Sequence, residues 1–168
     1  DLRPLSNLIV GHTLAAIIEA RRGQFAAARA DFGKARGYDA RMLELDPGQQ
    51  RTNLNRISVR LFAVEAEARA GSPARAQLAE LDAIEVLLRA LPADRAQQPE
   101  GIALGAWLDG LRAEFLLRHS AEAGVPARER RALVQAAVAG FDDALARLAN
   151  VPGTVEEASI ARLEDAAG

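Results

Sequence analysis

Two histidines are the first residues that could do chemistry. His12 and His119 are the only imidazoles in the 168 residues, and cysteine is absent. Imidazole changes charge near neutral pH and is the commonest metal ligand. A metal centre or a nucleophile–base pair needs such groups to converge with carboxylates, yet the two histidines fall on different expected hairpins. His119-Ser120-Ala121-Glu122 crowds three polar groups at a helix end, but adjacent positions on a helix do not face one another. Surface or helix-end roles are the expectation for both. Asp142-Asp143 and Glu156-Glu157 are carboxylate pairs. The first sits mid-helix beside Phe141 and reads as a solvated face; the second falls in a first helical turn, where acids suit the dipole. Neither has the partners that glycosidase or metal chemistry requires. Gly101, Gly105 and Gly110 follow no strand, so they are no dinucleotide fingerprint and read as a close helix crossing. Trp107 beside them is a binding anchor or, as the sole Trp in an apolar helix, core. No base–nucleophile or metal set assembles, so the expectation is a non-enzyme without a cofactor.

The elements that carry these residues are helices throughout. Leu5, Leu8, Ile9, Ile17 and Ile18 give an apolar side to a helix over about 5–22, which Gly23 stops. A second helix runs over about 24–45 with Phe25, Ala28, Phe32 and Ala35 on one face, and Gly37-Tyr38 suggests a kink. Asp46-Pro47-Gly48-Gln49 has the form of a helix start. The third helix carries Leu54, Ile57, Leu61, Val64 and Ala68 and stops at Gly71, where Ser72-Pro73 starts a fourth by the same capping logic. Leu78, Leu81, Ile84, Leu88 and Leu91 are the fourth helix's buried face. A fifth spans about 99–123 with Leu104, Leu108, Leu111 and Phe115. A sixth spans about 126–149 with Val134, Val138, Phe141, Leu145 and Leu148. Thr154 and Glu157 form a capping box for a short last helix over about 155–166. No stretch alternates with period two, so no strand is expected.

The chain also echoes itself. Shifted by 48 residues, 14 of 46 ungapped pairs are identical, among them Glu19/Glu67, Ala20/Ala68, Gly23/Gly71, Ala28/Ala76 and Ala35/Ala83. Gly124-Val125-Pro126-Ala127-Arg128 repeats the pattern of Gly71-Ser72-Pro73-Ala74-Arg75. A repeat of helical hairpins explains both. The expected fold is all-α: one domain over 1–168, an α-solenoid of about three antiparallel hairpins (about 5–45, 48–91 and 99–149) plus the C-terminal capping helix.

Composition sets outer limits. Apolar residues make up 49% and charged residues 26%, as in an ordinary globular protein, while aromatics reach only 4%. Such an Ala- and Leu-rich core is built by close helix contact. The net charge of −2 offers no basic surface for nucleic acid or an anionic membrane. No apolar run approaches the roughly 18 residues of a membrane span. The chain begins at Asp1 without Met and reads as a fragment or a processed form, with targeting or partner domains beyond it. Either side of a membrane suits a protein without cysteine.

Gly23-x-Phe25-x-x-Ala28-x-x-x-Phe32-x-x-Ala35, followed by Leu43-Glu44-Leu45-Asp46-Pro47, resembles a tetratricopeptide repeat. Gly71, Ala76 and Ala83 repeat it weakly. The Leu-Glu-Leu-Asp-Pro run comes about two helical turns later than in the family's 34-residue unit. The longer unit looks like the extended repeats of multidomain bacterial signalling proteins, including those that follow a Ser/Thr kinase domain. Where the family has an aromatic residue and a glycine in the first helix, this chain has His12 and Ala16. The resemblance implies a stack of hairpins whose first helices line a partner-binding groove. Its groove-facing positions would include Val10, Thr13, Ile17, Ala20 and Arg21, then Ser58, Leu61, Glu65, Ala68 and Arg69. Arg21 and Arg69 occupy equivalent places and could clamp a carboxylate or phosphate. Alternatively they sit at helix C-termini for the dipole, Arg69 pairing with Glu65. The expected function is a non-catalytic module that binds a peptide or protein partner within a larger regulatory protein. The alternative is a ligand-sensing helical domain of a membrane-tethered bacterial regulator, with a pocket near Trp107 and Phe115. Should neither peptide nor metabolite bind, self-association through the last hairpin would make an oligomerisation module the best account.

Overall fold

The structure, a computed structural model, describes residues 2–46, 52–149 and 151. Seven helices and no strand occupy these residues: α1 (Arg3–Arg21), α2 (Phe25–Leu45), α3 (Thr52–Arg69), α4 (Ala74–Arg89), α5 (Ala93–Ala96), α6 (Pro99–Ala121) and α7 (Ala127–Leu148). The all-α class read from the sequence is therefore the observed one. The helix start at 46–49 and the short helix at 155–166 fall mostly or wholly outside the described residues. The chain divides into two compact units, Asp1–Ser72 and Pro73–Gly168.

In the first unit α1 and α2 form a hairpin, and α3 packs on both. Ile9, Ala16 and Ala20 of α1 meet Ala28, Phe32, Ala35 and Met42 of α2 and Val59 and Ala66 of α3 in one buried cluster. Small side chains at the crossing let two backbones approach, and the Phe32 ring fills what remains. Gly23 closes the turn at φ +76, the left-handed conformation that favours glycine. Its amide donates to Ala20 O at 3.0 Å, and the Gln24 amide donates to Glu19 O at 2.9 Å. Gly71 repeats this at the end of α3, at φ +73, with bonds to Ala68 O at 3.2 Å and from Ser72 to Glu67 O at 3.0 Å. The identities Glu19/Glu67, Ala20/Ala68 and Gly23/Gly71 thus encode one helix-ending motif used twice. α2 is one continuous helix from Phe25 to Leu45, Gly37 included.

In the second unit α6 and α7 form a hairpin, α4 packs along α6, and α5 lies against the start of α6. Phe115 is fully buried, and so are Leu81, Ile84 and Leu148. α5 was not anticipated, being a single turn too short for any periodicity. Its carbonyls make Gly101 necessary: an added Cβ would lie 2.5 Å from Arg95 O and 2.9 Å from Ala96 O. α4 departs from the 48-residue echo. Ala28 and Ala35 are buried in α2, but their counterparts Ala76 and Ala83 are exposed, because α4 buries Ala74, Leu81 and Ile84 instead. Nor does Ser72 cap α4; its hydroxyl donates to the Glu67 carboxylate.

The stripe expected to bury α7 also turns out differently. Leu148 is buried and Phe141 is half-buried, but Val134, Val138 and Leu145 are exposed. α7 presents Ala137 and Ala144 inward instead, and Gly140 sits over α6, where a Cβ would be 3.3 Å from the Ala113 methyl and 3.6 Å from Asp109 O. The small-residue face allows the closest crossing and so wins over the more hydrophobic one.

Candidate functional site

α1 follows its expected apolar side only in part, with Ile9 buried and Leu5 and Ile17 packed against the core but Leu8 and Ile18 exposed, and this shapes the first candidate surface. Ile9, Thr13, Ala16 and Ala20 face inward, leaving Val10, Leu14 and Ile18 at 49, 55 and 50% exposure. These three lie four residues apart, on one side of the helix. Of the positions expected to line a groove, Val10 and Arg21 are exposed and Ile17 is half-buried against the core. Thr13 is buried, with its hydroxyl donating to Ile9 O at 2.7 Å. Ala20 is buried too. Ser58 is half-buried and donates to Leu54 O at 3.0 Å, which is local backbone bonding and leaves that hydroxyl engaged. Leu61 and Ala68 are buried. Arg69 pairs with Glu65 at 3.2 Å, the i,i+4 arrangement. Arg21 and Arg69 are both exposed at helix C-termini.

Beside this surface His12 bridges α1 and α2. Its Nδ1 lies 2.9 Å from Asp31 Oδ1, and its ring stacks on Tyr38 with centroids 5.6 Å apart and planes 17° apart. Lys34 donates to the same Asp31 oxygen at 2.8 Å. The bond from Lys34, aided by His12, holds the Asp31 carboxyl below its ordinary range, and Asp31 in turn raises Lys34. Two residues before Asp31 on α2, the Arg29 guanidinium grips Glu67 of α3 with two bonds, at 2.6 and 2.7 Å. That fork and the Ser72 hydroxyl lower the Glu67 carboxyl, against some desolvation. Deeper in the unit, Asp39 of α2 accepts from Arg56 Nε of α3 at 2.5 Å, both side chains being nearly enclosed.

The second unit buries His119. Nδ1 lies 2.7 Å from Glu122 Oε2, and Arg75 Nε, from the start of α4, points at Nε2 from 3.3 Å. Arg75 can only donate, so Nε2 accepts and the proton sits on Nδ1, donating to Glu122. Glu129, in the first turn of α7, lies 4.0 Å from Nε2. The helix-end placement expected of His119 holds, but the burial does not match a surface role. The sequence names Glu122 but its meeting with His119 is discounted there; at i,i+3 the two do face, and Arg75 and Glu129 are brought near only by the packing of three helix ends. With Arg75 on its acceptor nitrogen, His119 joins helices and has no free lone pair for a metal. Ser120 donates to Leu117 O at 2.7 Å and is likewise engaged.

Asp109 of α6 lies 2.8 Å from Arg147 Nε of α7. Burial nevertheless pushes its carboxyl above the ordinary range, outweighing the lowering by Arg147. Arg112 Nη2 approaches Asp82 at 3.1 Å and Glu85 at 2.8 Å without hydrogen-bond alignment. Trp107 is half-buried in α6, and the Phe115 ring is enclosed as core. Asp142 and Asp143 are exposed, as a solvated face requires, while Glu156 and Glu157 lie outside the described residues. Among the described residues no three His, Asp or Glu side chains are grouped to hold a metal ion, and no helix is long and apolar enough to cross a membrane. Comparisons with protein-family models, with curated proteins and with solved structures returned no match.

Proposed function

We propose that the chain is a non-catalytic helical-repeat module of the tetratricopeptide kind, a solenoid of about three hairpins with a capping helix. On this reading it binds a peptide or protein partner within a larger regulatory or signalling protein. The observation that carries the reading is the outward stripe of Val10, Leu14 and Ile18 on α1. A helix facing only water places polar residues there. Three aliphatic side chains in line instead offer a partner helix or extended peptide a row of anchors at helical spacing. Arg21 continues the same face one turn on and supplies a cation for an acidic group of the partner. The paired turn geometry of Gly23 and Gly71 supports a duplicated hairpin unit.

Selection from a random peptide library tests this. Peptides enriched on the protein should bind at about micromolar Kd and weaken at least about tenfold against Leu14→Asp, since a charge must then be buried at the contact. Enriched peptides that bind Leu14→Asp unchanged would remove α1 as the binding face.

A further inference from the structure

The surface with the most specific complementarity is on α7. Val134, Val138, Phe141 and Leu145 follow a heptad seam, spaced four, three and four apart. Three of them point away from the unit's own core, at 38, 54 and 47% exposure for Val134, Val138 and Leu145. At about 100° per residue, Arg131 and Asp142 both flank this stripe on one edge, about 16 Å apart along the axis. Both are exposed. An isologous pair of antiparallel helices keeps each edge on the same side of the contact and reverses its direction. Arg131, in the basic first turns of one α7, then faces Asp142 of the other. With the two-fold axis midway between Val134 and Val138, each Val134 meets the other copy's Val138. The same register sets Arg131 level with Asp142, within one residue, and Leu145 over the small Ala127.

We propose that α7 is a self-association surface, and that a second copy of this chain docks on it antiparallel about a two-fold axis between Val134 and Val138. One registry seats the apolar contacts and both symmetric ion pairs together, which a chance apolar face would not provide. The inference does not depend on what binds α1. A single helix pair is a small interface, so the dimer is weak and reversible.

Sedimentation equilibrium of the full chain from about 1 μM to about 1 mM reads the association constant. The chain should pass from monomer to dimer in that range. Val138→Asp, exposed in the monomer and central in the dimer, should weaken association more than about a hundredfold with an unchanged helical circular-dichroism spectrum. Arg131→Asp should weaken it roughly tenfold by opposing like charges, and Arg131→Asp combined with Asp142→Arg should recover most of the loss. A chain monomeric throughout the range overturns the proposal. So does a dimer indifferent to Val138→Asp but broken by Leu14→Asp, which would place the contact on α1. Failure of the charge reversal to rescue would overturn the antiparallel register.

Discussion

The α1–α2 and α6–α7 hairpins carry helix-interior glycines to different ends. In the first unit Gly11, Gly33 and Gly37 have no atom within 4 Å of where a Cβ would stand; the crossing is made by Ala16, Ala28 and Ala35 around Phe32. In the second unit Gly101, Gly105 and Gly140 each face a neighbour at 3.3 Å or less. Glycine in a helix is costly everywhere, but only the second unit gains closeness in return. The buried polar pairs differ in the same way. Asp39 and Arg56 are enclosed and joined at 2.5 Å, with Arg56 Nη2 left without a hydrogen-bond partner, whereas Asp109 is desolvated more than Arg147 compensates.

The largest effect expected from this contrast is at Asp39. Asp39→Ala leaves the Arg56 guanidinium enclosed without its carboxylate, and loss of one partner of a buried pair costs about 3 kcal/mol. Asp109→Asn should do the opposite or nothing at neutral pH, because ionised Asp109 is already disfavoured by its surroundings. Urea denaturation of both variants checks the pair; equal losses would erase the difference between the units. Next in size is Gly101→Ala, where the added methyl meets backbone carbonyls that cannot rotate away. Overpacking of this kind costs about 1–3 kcal/mol, offset by up to about 1 kcal/mol of helix propensity. Gly33→Ala and Gly37→Ala meet open space and should each add about 0.5–1 kcal/mol. A stabilising Gly101→Ala would mean that α5 yields freely.

Helix identity and the two helix-ending glycines were legible in the sequence because capping is local: Gly23 and Gly71 announce their turns within six residues. The inward face of α7 was not, and that of α1 only in part: Ile9, Leu5 and Ile17 lie in or against the core, but Leu8 and Ile18 do not. Periodicity ranks faces by hydrophobicity, and Val134, Val138 and Leu145 outrank Ala137, Gly140 and Ala144 on any such scale. The crossing selects the smaller face because backbone proximity wins contacts along its whole length. The same cause hid part of the candidate sites. Thr13 and Leu61 were assigned to a groove by analogy with a repeat, and each is buried. His119 was visible as a residue, but its junction with Arg75 and Glu129 depends on where α4 and α7 begin in space.

The smallest and most diagnostic expectation concerns acid. Glu67 and Asp31 are held below their ordinary range by Arg29 and Lys34, respectively. Their stabilisation is therefore complete above the unfolded-state values and fades as pH falls through the lower folded ones. Asp109 is raised, so the folded second unit binds that proton more tightly than the unfolded chain does. Its contribution improves as pH falls through the folded value and is complete below the unfolded one. The first unit should thus lose stability on acidification from neutral pH while the Asp109 contribution in the second opposes that loss. The sequence supplies a reporter for each: the sole Tyr, Tyr38, lies in the first unit and the sole Trp, Trp107, in the second. Thermal melts followed by Tyr absorbance should fall faster with acid than those followed by Trp fluorescence. The difference will be shallow, because the first unit's pairs are partly open to water and screened. Glu67→Gln should flatten the Tyr38 profile, and Asp109→Asn should make the Trp107 profile fall more steeply. Coincident profiles in the unaltered protein that both variants leave unchanged would show that these carboxylates do not set the units apart.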